Sequence, residues 1–195
     1  MNDLKQQFLD LLLSTKRRGM EQVIRELEVM GFFMSPASRE THLAYDGGLV
    51  KHSLNVYHVA ERIAMDMRAL CPGLQISKES IVITSLLHDL CKTTRYHHSE
   101  EVVLKDGTIK KSYIKDYRHF PIGHGEKSVI QLLRWGLELT EDEMLAIRYH
   151  MGPWQLSMTN MEVQQDYHEA CTRHPLIAIL YTADTLATQI VETIQ

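Results

Sequence analysis

With only three cysteines among its 195 residues, Cys71, Cys91 and Cys171, the chain has an odd number and no CxxC or other short ligand spacing. That excludes a disulfide framework and a cysteine-built metal knuckle, and fits a reducing compartment, the cytoplasm. Cys91 reads as a small buried hydrophobe rather than a nucleophile. Glycine and proline are sparse, no segment is repeated or of low complexity, and no apolar run reaches the roughly 18–20 residues of a membrane span. The N-terminus is amphipathic without a cleavable apolar core, so the expectation is a soluble, unprocessed protein. Basic residues are in no excess: the formal net charge is −4. Such a surface offers no general attraction to nucleic acid or anionic lipid. Lys16-Arg17-Arg18, the densest basic group, reads as a charged helix end serving solubility and the helix dipole.

The pattern that remains is helical, in a chain of one-domain size. Leu4, Phe8, Leu11 and Leu12 recur behind a cap at Asn2, and Met20, Val23, Ile24, Leu27 and Met30 behind Gly19, predicting two short helices in an N-terminal extension, residues 1–35. Leu49 to Leu70 predicts a long helix ended by Cys71-Pro72-Gly73. Ser77 or Ser80 caps the next, which runs through His88-Asp89 to Lys92. Residues 97–120 turn polar, and Lys105-Asp106-Gly107-Thr108 between short apolar runs predicts a β-hairpin flap around residues 100–116. Helical spacing returns from Gly125 to Trp135 and from Thr140, where Thr140 and Glu143 form a capping box, up to His150. A polar stretch to Thr172 precedes the last helix, after Pro175. The fold class is all-α with one small hairpin.

His88-Asp89 closes the apolar run Ile81-Val82-Ile83-Thr84-Ser85-Leu86-Leu87. Burying an isolated carboxylate costs several kcal/mol, so Asp89 requires a proton, a cationic partner or a metal, and the adjacent imidazole favours a metal. Asp184 poses the same problem in a helix, Leu176 to Ala187, that is apolar on all sides. A lone Asp would pair with Arg or His; two, in a chain with 11 histidines, shift the weight toward a shared metal. His52 follows Gly47-Gly48, His124 lies between Gly123 and Gly125, and each Gly removes bulk beside an imidazole. Singly, these histidines and His150 read as residues of helix ends before they read as ligands.

In order, His52, His88-Asp89, His124, His150 and Asp184 each fall on a different predicted helix. This succession resembles the HD-domain superfamily over residues 49–188. Tyr45-Asp46-Gly47-Gly48-Leu49-Val50-Lys51-His52-Ser53-Leu54 and Gly123-His124-Gly125-Glu126-Lys127-Ser128 are similar to stretches of bacterial HD-domain hydrolases, including the HD portion of YhaM-type exoribonucleases. The resemblance implies a helical bundle in which His52, His88, Asp89 and Asp184 bind one divalent ion and His124 and His150 hold a second. Asp89 would bridge the two, ~3.5 to 4 Å apart. The candidate metals are Mn, Fe, Co, Ni, Mg and Zn.

Asp89 and Lys92 are the candidate catalytic residues. Lys92, four residues from His88 and three from Asp89, shares their helix face, and an amine near two cations calls for an anion between them. A substrate phosphate is that anion. The expected activity is hydrolysis of a nucleotide or another small phosphoester, monoester or diester, by metal-activated water; the same ligand order also serves di-iron oxygenases, and a nucleotide-sensing module with a structural metal is the third reading. Met151, where many relatives have a second consecutive His, argues against a third ion. Arg95, Tyr96, Arg118, His119 and Lys127 are secondary candidates for substrate contact, Trp154, Tyr113 and Tyr117 could stack a base, and His42 either lines the pocket mouth or caps a turn. The pocket walls are expected from segments 96–121 and 152–172. His58, His97, His98 and His168 fall away from the site.

Overall fold

The computed structural model describes residues 2–94, 96–103, 105, 107, 109–116, 120–157 and 159–194. Helices α1 (Asn2–Ser14) and α2 (Met20–Val29) open the chain. Their apolar stripes do not form a separate layer: Phe8, Leu12, Met20, Val23 and Leu27 join one buried cluster with the rest of the molecule. Phe8 is held between Phe32 and Phe33, ring centroids 5.2 and 5.6 Å away.

The core is built by α3 (Gly48–Leu70), α4 (Lys78–Leu87), α5 (His124–Arg134), α6 (Glu141–Tyr149) and α8 (Leu176–Leu186), with α3 packed on α4 and α8, and α6 on α5 and α8. Ser77 caps α4 by accepting from Ser80 N at 2.9 Å. Thr140 and Glu143 close the expected capping box on α6. No helix among the described residues is long and apolar enough to cross a membrane.

Two glycines decide how the site's helices are placed, for a reason the sequence did not reveal. The space beside Gly48 and Gly125 is taken by backbone, not by an imidazole. A Cβ on Gly48 would sit 2.0 Å from Leu43 O, so the turn before α3, with Gly47 at φ +87°, folds tightly against the helix start. A Cβ on Gly125 would sit 2.2 Å from Arg148 O. The first turn of α5 therefore rests directly on the last turn of α6, and His124 and His150 meet with ring centroids 5.1 Å apart. Gly125→Ala is expected to lower stability by about 1–3 kcal/mol through this overpacking; thermal denaturation checks it, and an unchanged midpoint would show that the contact can yield.

Four features differ from the predicted elements. α4 stops at Leu87; His88 caps it and a 3-10 turn, Leu90–Thr94, follows. The stretch read as a loop to Thr172 contains α7 (Met161–Arg173), capped by Asn160, whose side chain accepts from Glu162 N and Val163 N. Its inner stripe is narrow, with Ala170 buried and only Tyr167 and Cys171 packed partly on the core, so the apolar period is faint. α8 is not apolar-faced all round, since Ala178, Thr182 and Thr185 are exposed. It runs into a π-helical turn, Ala187–Val191, and then α9 (Glu192–Ile194).

The hairpin stands as expected, β1 (Tyr96–Val103) antiparallel to β2 (Ile109–Lys115), with Ser99 opposite Tyr113. Tyr113 is buried and donates its hydroxyl to Asp46 Oδ1 at 2.7 Å, which ties the hairpin to the turn before α3 and removes Tyr113 as a base-stacking candidate. Arg95, Tyr117, Arg118, His119 and part of the Asp-Gly turn, Asp106 and Thr108, lie outside the described residues, as do the side chains of Tyr96, His97 and His98.

Candidate metal centre

All six residues expected to share a site converge. His52 comes from the second turn of α3, His88 and Asp89 from the end of α4, His124 from the start of α5, His150 from the end of α6 and Asp184 from α8. His52, His88, Asp89, His124 and His150 are buried; Asp184 is 16% exposed at its side chain and opens toward solvent, where the sequence had suggested full burial.

The two oxygens of Asp89 face different partners. Oδ2 lies 3.4 Å from both His52 Nε2 and His88 Nε2, and 2.5 Å from Lys92 Nζ. Oδ1 lies 2.5 Å from His124 Nε2 and 3.5 Å from His150 Nε2. Asp184 Oδ1 joins the first group, 3.3 Å from His52 Nε2 and 4.0 Å from His88 Nε2. Lys92 reaches Asp89 through the 3-10 turn, in which Lys92 N donates to Asp89 O at 2.9 Å, rather than along a continuing α-helix.

Local backbone fixes two of the four rings from behind. His88 Nδ1 is 2.9 Å from Ser85 O and His150 Nδ1 is 2.6 Å from Ile147 O, three residues back in each case. A carbonyl only accepts, so each Nδ1 carries a proton and Nε2 is the nitrogen left to ligate. His52, His88 and His150 all keep a buried Nε2 without a hydrogen-bond partner. Three such nitrogens aimed at two carboxylates are satisfied together by a cation between them. His52, His88 and Asp184 form one group with metal-binding spacing, and His88, Asp89 and His150 another. These buried His/Asp clusters can hold a metal.

The electrostatics follow from that crowding. Burial alone would favour the neutral acid at Asp89, yet Lys92, His88 and His124 hold its carboxyl well below the usual range. Asp184 is likewise depressed against burial, by its contact with His52. Burial opposes the charge on His52, but Asp184, Asp89 and Glu192 raise it well above the ordinary imidazole value. His124 goes the other way, lowered by burial to about 4.

Two further residues of the site were not read from the sequence. Cys91, taken as a buried hydrophobe, is buried, but its Sγ lies 2.7 Å from His124 Nδ1. The other is Glu192, whose Oε1 is 2.9 Å from His52 Nδ1. At about 100° per residue, eight positions set Glu192 roughly 80° round from Asp184 on an unbroken helix. The π turn absorbs one residue and returns it to within about 20°, so no periodic signal pointed to it.

A cavity of about 290 Å³ opens on the cluster, lined by His42, Lys92, His150, Met151, Trp154, Tyr181, Asp184, Thr185, Thr188 and Gln189. Among the described residues its walls therefore come from 151–154 and from α8 with its π turn, not from the hairpin segment or α7. His42 is a lining residue with its ring centroid 5.4 Å from that of His52, and burial lowers it to about 4. Trp154 is 81% exposed at the rim. Lys127 does not line the cavity. His58, beside Gln7, and exposed His168 lie away from the cluster, as expected.

The sequence profile of the HD domain family matches residues 49–189, a span that holds all six converging residues. A dihydroneopterin 2',3'-cyclic phosphate phosphodiesterase from Methanocaldococcus jannaschii is 30% identical over 100 residues, which cover 51% of this chain and 36% of that protein. No solved structure matches the chain significantly.

Proposed function

The chain belongs to the HD domain family, and from that premise we propose that it is a metal-dependent phosphohydrolase acting on a small phosphodiester that carries a flat heterocycle, a nucleotide or a comparable compound. The observation that carries the reading is the division of labour at Asp89, one oxygen toward His52 and His88, the other toward His124 and His150. A carboxylate disposed in this way suits a bridge between two divalent ions, with His52, His88 and Asp184 completing one position and His124 and His150 the other. Bound there, such ions act as Lewis acids on phosphoryl oxygens and lower the pKa of water to the neutral range.

The protein's own part is to place the phosphate and to hold charge. Lys92 stands at the boundary between Asp89 and the cavity, its side chain 14% exposed, where a phosphoryl oxygen can replace the carboxylate as its partner. Its fixed positive charge then stabilises the negative charge that develops on phosphorus's oxygens without reorganising at the moment of reaction. This cation at the cavity floor supports phosphoester chemistry over oxygen chemistry, and an open cavity beside it supports an enzyme over a sensor with a sealed structural metal. A volume of about 290 Å³ lies at the small end of ligand pockets, which suits a mononucleotide-sized substrate better than a polymer. Trp154 offers an exposed ring face for the heterocycle, and the relative's cyclic phosphodiester makes 2',3'-cyclic phosphates the first compounds to try.

The test is metal analysis of the purified protein, followed by a panel of 2',3'-cyclic phosphates, mononucleotides, cyclic and linear dinucleotides and short RNA with manganese, cobalt, nickel, iron, magnesium or zinc. Divalent-ion-dependent cleavage of a small diester is expected. Bound iron with a mixed-valent signal and no cleavage of any phosphoester would overturn the reading. Lys92→Met is expected to keep the metal and lower kcat/KM by about 100-fold; loss of metal instead would make Lys92 a support of the ligand cluster rather than a substrate contact.

A further inference from the structure

Glu192 lies outside the span that the family profile matches, yet its side chain is fully buried against the site. Its Oε1 receives two donors, His52 Nδ1 at 2.9 Å and Asn55 Nδ2 at 3.1 Å. A carboxylate accepts only, so His52 carries a proton on Nδ1, which leaves Nε2, facing Asp89 and Asp184, as the nitrogen whose lone pair a bound cation would take. The four imidazoles of the cluster differ in this outer contact. His88 and His150 lean on backbone carbonyls and His124 on the Cys91 thiol; among the described contacts, His52 has a carboxylate.

A charged acceptor behind an imidazole fixes its tautomer and raises the basicity of the opposite nitrogen more than a neutral carbonyl does. We propose that Glu192 is a positioning residue for His52, delivered by the π turn at Ala187–Val191, and that it makes His52 the strongest nitrogen donor of the cluster toward a divalent ion. With Asp89 and Asp184 it sets three carboxylates against Lys92, a balance that favours a doubly charged cation.

This inference rests on His52 as a metal ligand, so its test reads metal rather than turnover. Cobalt is titrated calorimetrically into the metal-stripped 195-residue chain, with ion stoichiometry, thermal midpoint and the ¹⁵N shifts of His52 followed in parallel. In Glu192→Ala the affinity of one ion is expected to fall 10- to 100-fold and His52 to populate both tautomers, with stoichiometry unchanged at saturation. Glu192→Gln, which keeps an acceptor but not the charge, should fall between Ala and the parent. Unchanged affinity in Glu192→Ala, with His52 still protonated at Nδ1, overturns the proposal. So does the loss of one whole ion with the others unaffected, since His42, His52 and Glu192 also have metal-binding spacing and Glu192 would then be a ligand itself. If Glu192→Ala does not fold, Glu192→Gln decides alone: several-fold weaker cobalt binding at the parent's thermal midpoint supports the role, and equal affinity removes it. A parent protein that takes up no cobalt or other divalent ion sinks the reading of His52 as a ligand, and this proposal with it; uptake without phosphoester cleavage leaves the proposal standing and removes only the hydrolase.

Discussion

Asp89→Ala is expected to abolish divalent-ion binding and to lower phosphoester cleavage by at least about a thousandfold, with the helical signal in far-UV circular dichroism retained. The size of the effect follows from position. Among the described residues Asp89 is the one whose two oxygens face both halves of the histidine cluster, so its loss would deprive both proposed metal positions of their shared anion, not one of them. The fold should survive because helix packing does not run through this carboxylate: His88 and His150 are held from behind by Ser85 O and Ile147 O, and Lys92 lines a cavity into which its amine can turn. Asp89→Asn sharpens the point, since it keeps the volume and loses the charge; it should also fail to hold metal at stoichiometric levels. Metal content by mass spectrometry and a cleavage assay at saturating manganese check both variants. A metal-depleted Asp89→Ala protein with full activity would remove the mechanism outright.

The parts of this centre that were legible in the sequence are those in which a residue type conflicts with its surroundings. An acid closing an apolar run must be compensated, and that reasoning found Asp89; the order of histidines and Asp184 along separate helices supplied the companions. Lys92 was placed beside Asp89 for a reason that did not hold, helical continuation, and arrives there through a 3-10 turn because both geometries bring residues three apart together. Cys91 and Glu192 stayed hidden because nothing about them conflicts locally. A cysteine in an apolar segment is ordinary, and a glutamate near a helix end is ordinary; only the tertiary contact with His124 or His52 gives either a role. The fold shows the same division. Helices with broad stripes or explicit caps, α1 to α6, could be read, whereas α7, with a single buried residue, could not.

Arg17→Met is expected to cost about 3–5 kcal/mol of stability, the largest loss of fold predicted from any single side chain here. The charge cluster Lys16-Arg17-Arg18 reads as solvated, but Arg17 Nη1 and Nη2 donate to Glu143 Oε2 and Oε1 at 2.7 and 2.8 Å, and Glu143 is 0% exposed. The same carboxylate accepts from Ser80 Oγ at 2.8 Å and Thr140 N at 2.9 Å, so one buried acid joins the α1–α2 connection to the starts of α4 and α6. Hydrogen bonding to Glu143 in turn holds the Arg17 guanidinium further toward its charged form. The two partners are not equivalent. Removing Arg17 leaves a charge that cannot reach water, whereas removing Glu143 leaves a guanidinium 17% exposed that can. Arg17→Met should therefore destabilise more than Glu143→Leu, and the double variant should recover much of the loss, because an apolar pair of similar bulk carries no desolvated charge. Urea denaturation of the four proteins measures it. Additive losses would show that the buried acid is sustained by Ser80 and Thr140 alone. Because Ser80 opens α4 and His88 follows its end, a full helix away, cobalt uptake in the folded variants should match the parent, which separates the element that holds the bundle together from the one that does its chemistry.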